Sequence, residues 1–167
     1  TIDLQAKGKF ITSVVQFAVA PGETILVKAD VADKYGTPAN WKGQPLGVTG
    51  LGSATAFLTR YLASRAGLQN QDYSLIPVGA GDTFLAAIQQ GKIVSGMTTE
   101  PTVQRALSRG LAKVSIDLRT PETTRAALGG DYPAACLYMD RGYMEANKET
   151  AQKLVNALVK TLKWMHD

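Results

Sequence analysis

The chain has 167 residues, of which 45% are apolar and 19% charged, and its formal net charge is +4. This composition is typical of a globular protein and excludes an extensively disordered one. Lysines and arginines are spread along the chain without an aromatic-basic stripe, which argues against nucleic acid as a partner. The mild positive charge is compatible with the attraction of small anions.

The chain holds one cysteine, Cys136, and one histidine, His166. A lone cysteine excludes an intramolecular disulfide, and its apolar neighbours predict a buried core thiol. One cysteine and one histidine are too few for an ordinary zinc site, so we expect no metal and no cofactor. No apolar run reaches the ~18 residues that a membrane span needs. The opening residues resemble neither an initiator nor a targeting segment, as in a mature or trimmed product.

The first 45 residues predict strands and a connector. Residues 11–20 read as a strand, a Pro-Gly turn follows, and residues 24–28 form a second apolar run that we expect to pair with the first. Residues 36–45 are rich in glycine, proline and asparagine and predict a connector. We therefore place a domain boundary near residue 45.

Strands and helices alternate from residue 46 onward. Short apolar runs precede four amphipathic segments, and glycines follow three of these segments where a helix would end. Such repeats favour an α/β fold with a mainly parallel sheet and helices on both faces. The predicted strands are residues 46–48, 74–78, 93–97 and 113–117, and the helices are residues 53–66, 82–90, 101–109 and 121–128.

The turn between the first of these strands and its helix is the strongest candidate site. It contains Gly50, Gly52 and Ser53, and Ala54 and Thr55 open the helix. The first turn of a helix leaves backbone N–H groups unpaired and carries the positive end of the helix dipole. We therefore expect an anion to bind here, although Ser53 is equally suited to a plain N-cap. A dinucleotide is not expected, because Thr55 occupies the place of the third small residue in that fingerprint.

Two further turns follow strands of the same predicted sheet. Gly79 would let the backbone approach a ligand closely, and Asp82 is expected to cap the next helix. Glu100 follows the third strand and suits either a first-turn acid or a partner for an ammonium group. A ligand with an anionic and a cationic end would then use both Thr55 and Glu100.

The chain closes with another strand, residues 134–138, and a long amphipathic helix, residues 149–166. Residues 46–68, residues 76–93 and the run Thr-Thr-Glu-Pro-Thr-Val at residues 98–103 resemble the second lobe of periplasmic solute-binding proteins of ABC importers. The branch is the nitrate, sulfonate, taurine and thiamine-precursor group. The resemblance extends from about Ile11 to the end of the chain and is strongest between Trp41 and Gly110.

The resemblance implies a type II periplasmic-binding fold with two lobes that close on a ligand, in proteins roughly twice this length. Residues 1–45 would complete lobe one, residues 46–131 would form the second lobe, and residues 132–167 would return toward lobe one. It further implies capture of a small anionic solute, delivery to a membrane permease, and a periplasmic or extracellular, membrane-associated location. A partial chain of this kind could also self-associate. The ligand-binding residues expected are Gly52, Ser53, Ala54, Thr55, Gly79, Glu100 and Tyr132.

Two other functions fit the same resemblance. A ligand-sensing domain of a regulator would need a DNA-binding or signalling segment, and the sequence contains none. Enzymes similar to thiamine-pyrimidine synthases use a reactive histidine, a cofactor lysine and a cysteine-rich iron motif, whereas this chain has only His166 and Cys136. No nucleophile, base and orienting group stand together, so we expect a binding protein and not an enzyme.

Overall fold

The computed structural model describes residues 2–166. These residues form seven strands and eight α-helices, joined by loops and short 3-10 turns. The strands are β1 (Ile11–Ala18), β2 (Thr24–Lys28), β3 (Pro45–Val48), β4 (Ser74–Pro77), β5 (Ser95–Thr98), β6 (Ala112–Asp117) and β7 (Ala134–Asp140). The α-helices are α1 (Ile2–Ala6), α2 (Ala32–Tyr35), α3 (Ala54–Arg65), α4 (Asp82–Gln89), α5 (Thr102–Ser108), α6 (Pro121–Leu128), α7 (Arg141–Ala146) and α8 (Lys148–His166).

The chain divides into two compact units, and the larger one comprises Ala20–Tyr132. It contains a five-stranded sheet of order β4-β3-β5-β2-β6. Strand β3 runs parallel to β4 and β5, while β2 runs antiparallel to β5 and β6. Four of the five strands therefore share one direction, and only β2 opposes it. This arrangement confirms the predicted α/β fold with a mainly parallel sheet.

Helices cover both faces of the sheet, as the alternation predicts. Successive residues of a strand point to opposite faces, and Ile25 and Leu26 of β2 illustrate this. Ile25 packs in a core with residues of α3 and α6, including Leu58 and Leu128. Leu26 packs in a second core with residues of α4 and α5, including Phe84. The sheet is thus the middle layer of a three-layer sandwich.

The helix boundaries follow local signals that the sequence contains. The Ser53 hydroxyl accepts a hydrogen bond from the amide of Ala56 and caps α3. Thr120 caps α6 in the same way, Pro121 occupies its first turn, and Gly129 ends it in the left-handed conformation. The structure places α6 over the same residues that the sequence predicts.

The predicted pairing of β2 with the first strand is wrong. β1 pairs with β7 instead, and β2 lies between β5 and β6. The apolar run of β2 is buried on both faces by helices distant in the sequence, which is why adjacency along the chain is misleading here. Because β2 belongs to the five-stranded sheet, the larger unit begins at Ala20, and residue 45, the proposed boundary, lies inside it.

The smaller unit combines the residues before Ala20 with those after Tyr132. It contains the antiparallel pair β1–β7 together with α7 and α8. Cys136 is only half-buried in β7, so the prediction of a buried core thiol is wrong. A two-stranded sheet offers fewer covering neighbours than the five-stranded one. None of the helices within residues 2–166 is long and apolar enough to cross a membrane.

Candidate functional site

The candidate site lies along one edge of the five-stranded sheet. Because β3, β4, β5 and β6 share a direction, their carboxyl ends meet at this edge. The loops that follow them begin at Thr49, Val78, Thr99 and Leu118. Strand β2 opposes this direction, so its amino end, preceded by Glu23, lies at the same edge. In sheets of this class, ligands bind beyond the carboxyl ends of the strands.

A chain of hydroxyl groups shapes the turn between β3 and α3. The Ser53 hydroxyl donates to the carbonyl of Gly50 at 2.6 Å and accepts from the amide of Ala56 at 3.3 Å. The Thr55 hydroxyl lies 2.6 Å from the Ser53 hydroxyl and 2.9 Å from that of Thr49, whose amide also donates to Thr55 at 3.0 Å. Each of these side-chain hydroxyl groups has a partner within the turn.

The direction of each hydrogen bond follows from counting protons, since a hydroxyl has one proton and two lone pairs. The Ser53 proton goes to Gly50, so the bond between Ser53 and Thr55 must use the Thr55 proton. Thr55 then accepts from both the amide and the hydroxyl of Thr49. Neither Ser53 nor Thr55 has a side-chain proton left for a ligand in this arrangement.

The backbone amides at the amino end of α3, residues 52–55, differ from these hydroxyls because most of them have no partner within residues 2–166. We call this end the mouth of α3. Ser53 donates its N–H to the Gly50 carbonyl, but the N–H groups of Gly52, Ala54 and Thr55 have no acceptor among the residues that the structure describes. Gly52 and Ala54 are exposed, while Thr55 is buried with 3% of its surface accessible. Two unpartnered amides of exposed residues therefore lie at the positive end of a 12-residue helix.

The turn between β4 and α4, like the turn between β3 and α3, contains two glycines. Gly79 and Gly81 both have positive φ, at 71° and 65°. A Cβ on Gly79 would lie 2.9 Å from the Thr83 hydroxyl, so a side chain there would displace Thr83 and strain a backbone whose φ is positive. The Gly79 amide has no acceptor in the described part of the chain. Gly81, not Asp82, is the N-cap of α4, so the predicted capping role of Asp82 is wrong.

Glu100, predicted either as a first-turn acid or as an ammonium partner, has both oxygens occupied. One accepts from the Gln104 amide at 3.0 Å in the first turn of α5, and the other accepts from the Arg119 guanidinium at 2.8 Å. Arg119 also donates two hydrogen bonds to Asp117, which hold the pKa of that carboxyl below its usual range. The geometry therefore gives Glu100 a capping and ion-pairing role at the edge of the sheet.

A cavity of about 400 Å³ runs beside α3 and the segment after α6. The Phe57 and Tyr61 side chains form one wall, Leu128 and the following glycines another, and Tyr132 contributes its ring. Tyr132 also packs against the core on the α3 side of the sheet. Ala54 and Phe57 are three residues apart and lie on one side of α3. The cavity therefore begins within one helical turn of the unpartnered Gly52 and Ala54 amides.

Glu23, which the sequence analysis did not identify, is the most unusual side chain at this edge. Only 7% of its surface is exposed, and its Oε2 atom is buried without a hydrogen-bond partner. Burial raises the pKa of its carboxyl. Burial and the negative charge of Glu23 both raise the pKa of Tyr132. The hydroxyls of Thr24 and Thr98 are likewise buried and unpartnered, on the opposite face of the sheet.

Several solved structures share this fold. A protein from Bordetella bronchiseptica RB50 aligns with 35% identity and a TM-score of 0.90 over 100% of this chain and 52% of its own. The alkanesulfonate-binding protein SsuA from Xanthomonas axonopodis pv. citri, bound to MOPS, aligns with 21% identity and a TM-score of 0.62 over 90% of this chain and 48% of its own. The periplasmic nitrate-binding protein NrtA from Synechocystis PCC 6803 aligns with 15% identity and a TM-score of 0.56 over 85% of this chain and 37% of its own.

The fold is thus that of the periplasmic solute-binding proteins, as the resemblance implies, and the chain spans about half the length of the structures that it matches. The family model described as the NMT1-like family matches residues 2–167. This chain therefore belongs to the NMT1-like family. A search of the curated proteins finds no match to the chain.

Proposed function

We propose that this chain is the ligand-binding part of a solute-binding protein of an ABC importer, and that it holds a small anion at the mouth of α3. The observation that carries the proposal is the pair of unpartnered amides of the exposed residues Gly52 and Ala54. Amides at a helix amino end bind oxyanions through directed hydrogen bonds and the helix dipole. The predicted role of the Ser53 and Thr55 hydroxyls changes with it: they fix the shape of the turn and leave the contacts to the backbone.

The apolar cavity beside α3 supports an organic anion over a bare inorganic one. Its walls carry the rings of Phe57, Tyr61 and Tyr132, which would cover the carbon skeleton of a sulfonate or carboxylate. Nitrate has no skeleton to cover. The similar structures include both an alkanesulfonate-binding and a nitrate-binding protein, so the fold itself is compatible with either anion.

Transport would place the protein outside the cytoplasmic membrane, where it would deliver the solute to an ABC permease. The similar structures named as periplasmic binding proteins support this location. A non-catalytic role is supported by the same relatives, which are named for the ligands they bind. We propose no cofactor, because the open amides and the cavity are sufficient to hold an anion.

Removal of one open amide tests the proposal. Ala54→Pro deletes the N–H group at the first position of α3, where proline fits a helix well, and the extended backbone of Ser53 (ψ 165°) tolerates a following proline. Loss of one hydrogen bond to a charged group costs about 1.5–3 kcal/mol. We expect the dissociation constant for the bound anion to rise by roughly 10- to 150-fold, measured by isothermal titration calorimetry on the complete protein.

Ala54→Val is the matched control, since it adds bulk at the same exposed position and retains the amide. Ethanesulfonate, nitrate, acetate and taurine form the ligand panel. Binding of at least one of these anions that is weakened by proline and retained with valine supports the proposal. Equal affinities in the wild-type, proline and valine forms would remove the mouth of α3 from the site.

A further inference from the structure

Glu23 is a buried acid without a compensating cation. None of the ion pairs within the described residues includes it, and its Oε2 atom has no hydrogen-bond partner. A carboxylate removed from water in this way is costly unless a positive charge approaches it. The negative charge of Glu23, together with burial, raises the pKa of the Tyr132 phenol. Such an uncompensated acid in a candidate cleft is a recognised mark of a functional group.

The position of Glu23 relates it directly to the mouth of α3. The amide of Leu118 donates to the Glu23 carbonyl at 2.9 Å, which extends the β2–β6 ladder by one residue. Glu23 therefore keeps the strand alternation and shares a face with Ile25, whose side chain packs against α3. Both the acid and the open amides thus belong to one face and one edge of the sheet.

The separation of the two groups sets the size of what could bridge them. Strand β5 lies between β2 and β3, so the amino end of β2 and the carboxyl end of β3 are two strand spacings apart, about 10 Å. Strands this far apart carry groups that a small organic molecule with a short carbon chain between its charged ends could bridge.

We propose that Glu23 binds a cationic group of the solute, so that the site selects a small zwitterion whose anionic end lies at the Gly52 and Ala54 amides. This inference rests on the proposed function and specifies its substrate class. The aromatic rings of Phe57, Tyr61 and Tyr132 at the adjacent cavity are compatible with an ammonium group, which aromatic faces attract. The cation-binding role expected of Glu100 is assigned to Glu23, because Glu100 is already paired with Arg119.

Two ligands that differ only in the amine test the inference. Taurine and ethanesulfonate have the same sulfonate and the same two-carbon chain, and taurine alone carries an ammonium group. We expect the complete wild-type protein to bind taurine at least tenfold more tightly than ethanesulfonate in isothermal titration calorimetry. Glu23→Gln should weaken taurine binding by at least tenfold and leave ethanesulfonate within twofold of wild type.

Glu122→Gln is the control, since it neutralises an exposed acid of the same unit. It should retain the preference for taurine. Equal wild-type affinities for the two sulfonates, or a preference that survives in Glu23→Gln, would overturn the inference while leaving anion binding intact. If neither sulfonate binds, the proposed function fails for sulfonates. A titration with n-propylammonium then tests whether Glu23 binds a cation. Binding of this amine that requires Glu23 supports the cation site, and its absence overturns it.

Discussion

The turn after β3 and the loop after β5 occupy the same edge of one sheet, yet they use their polar groups in opposite ways. After β3, the Ser53 and Thr55 side chains are satisfied within the turn while the amides of Gly52 and Ala54 remain open. After β5, the Glu100 carboxylate caps α5 and pairs with Arg119. One loop leaves backbone donors unpaired within the described part of the chain, and the other holds its charges within the fold.

The difference teaches that residue type alone does not identify a contact. Glu100 and Thr55 carry the groups that ligands use most often, but both are occupied by local partners. Glycine and alanine contribute the available donors, through the backbone. Three substitutions test this contrast, from the largest expected effect to the smallest.

Thr55→Val should destabilise the fold most strongly. The valine methyl replaces a buried hydroxyl that accepts from both the amide and the hydroxyl of Thr49 and donates to Ser53. Buried groups without partners cost about 1–3 kcal/mol each, so we expect a loss of about 2–3 kcal/mol in the free energy of unfolding. Thr55→Ser, which retains the hydroxyl, should lose less than half of this in urea denaturation. Equal losses in both variants would show that the hydroxyl does not organise the turn.

Glu23→Gln should stabilise the fold at neutral pH. Burial raises the pKa of Glu23, so the folded state retains its proton to a higher pH than the unfolded state. The wild type therefore loses stability as the pH rises from the unfolded carboxyl pKa through the raised folded one, and each unit of difference corresponds to about 1.4 kcal/mol. We expect Glu23→Gln to be the more stable protein at pH 7 and to lose that advantage near pH 4.

Urea denaturation at the two pH values measures this effect, with Glu122→Gln as the exposed control. A Glu23→Gln protein that is less stable than wild type at pH 7 would contradict an uncompensated buried carboxyl. This measurement requires no ligand, so it tests the electrostatic basis of the cation site separately from binding.

Glu100→Gln should have the smallest effect. Its ion pair with Arg119 is partly exposed, with 44% and 35% of the two side chains accessible, and such pairs contribute about 1 kcal/mol or less. We expect a loss of that size in the free energy of unfolding and no change in taurine affinity. A tenfold loss of taurine affinity with unchanged stability would instead return the ammonium contact to Glu100.

Much of the fold could be predicted because its signals are local. The amphipathic period and the capping residues place α3, α4, α5 and α6 within one or two residues of their observed ends. The pairing of β2 could not be predicted in the same way, because it depends on strands that are about 70 and 90 residues away in the sequence. Helix α7 was also missed, although Asp140 caps it and precedes its first residue.

The sequence outlines only part of the candidate site, whose role in binding stays a prediction. The glycine-flanked mouth of α3 could be recognised from Gly50, Gly52 and Ser53, because a helix amino end is a local feature. Glu23 could not, since an acid after Pro-Gly reads as part of an exposed turn. Glu23 is buried where its backbone pairs with Leu118, a residue distant in sequence, so only the folded chain reveals its burial.

The most direct test of the account is a ¹H–¹⁵N NMR titration of the complete protein with the anion that binds best in the calorimetric panel. Amides that donate to an oxyanion shift downfield, whereas amides that remain in water change little. The account predicts that the Gly52 and Ala54 signals show the largest downfield shifts in the larger unit. Unmoved Gly52 and Ala54 signals, with saturable shifts elsewhere in the chain, would contradict it.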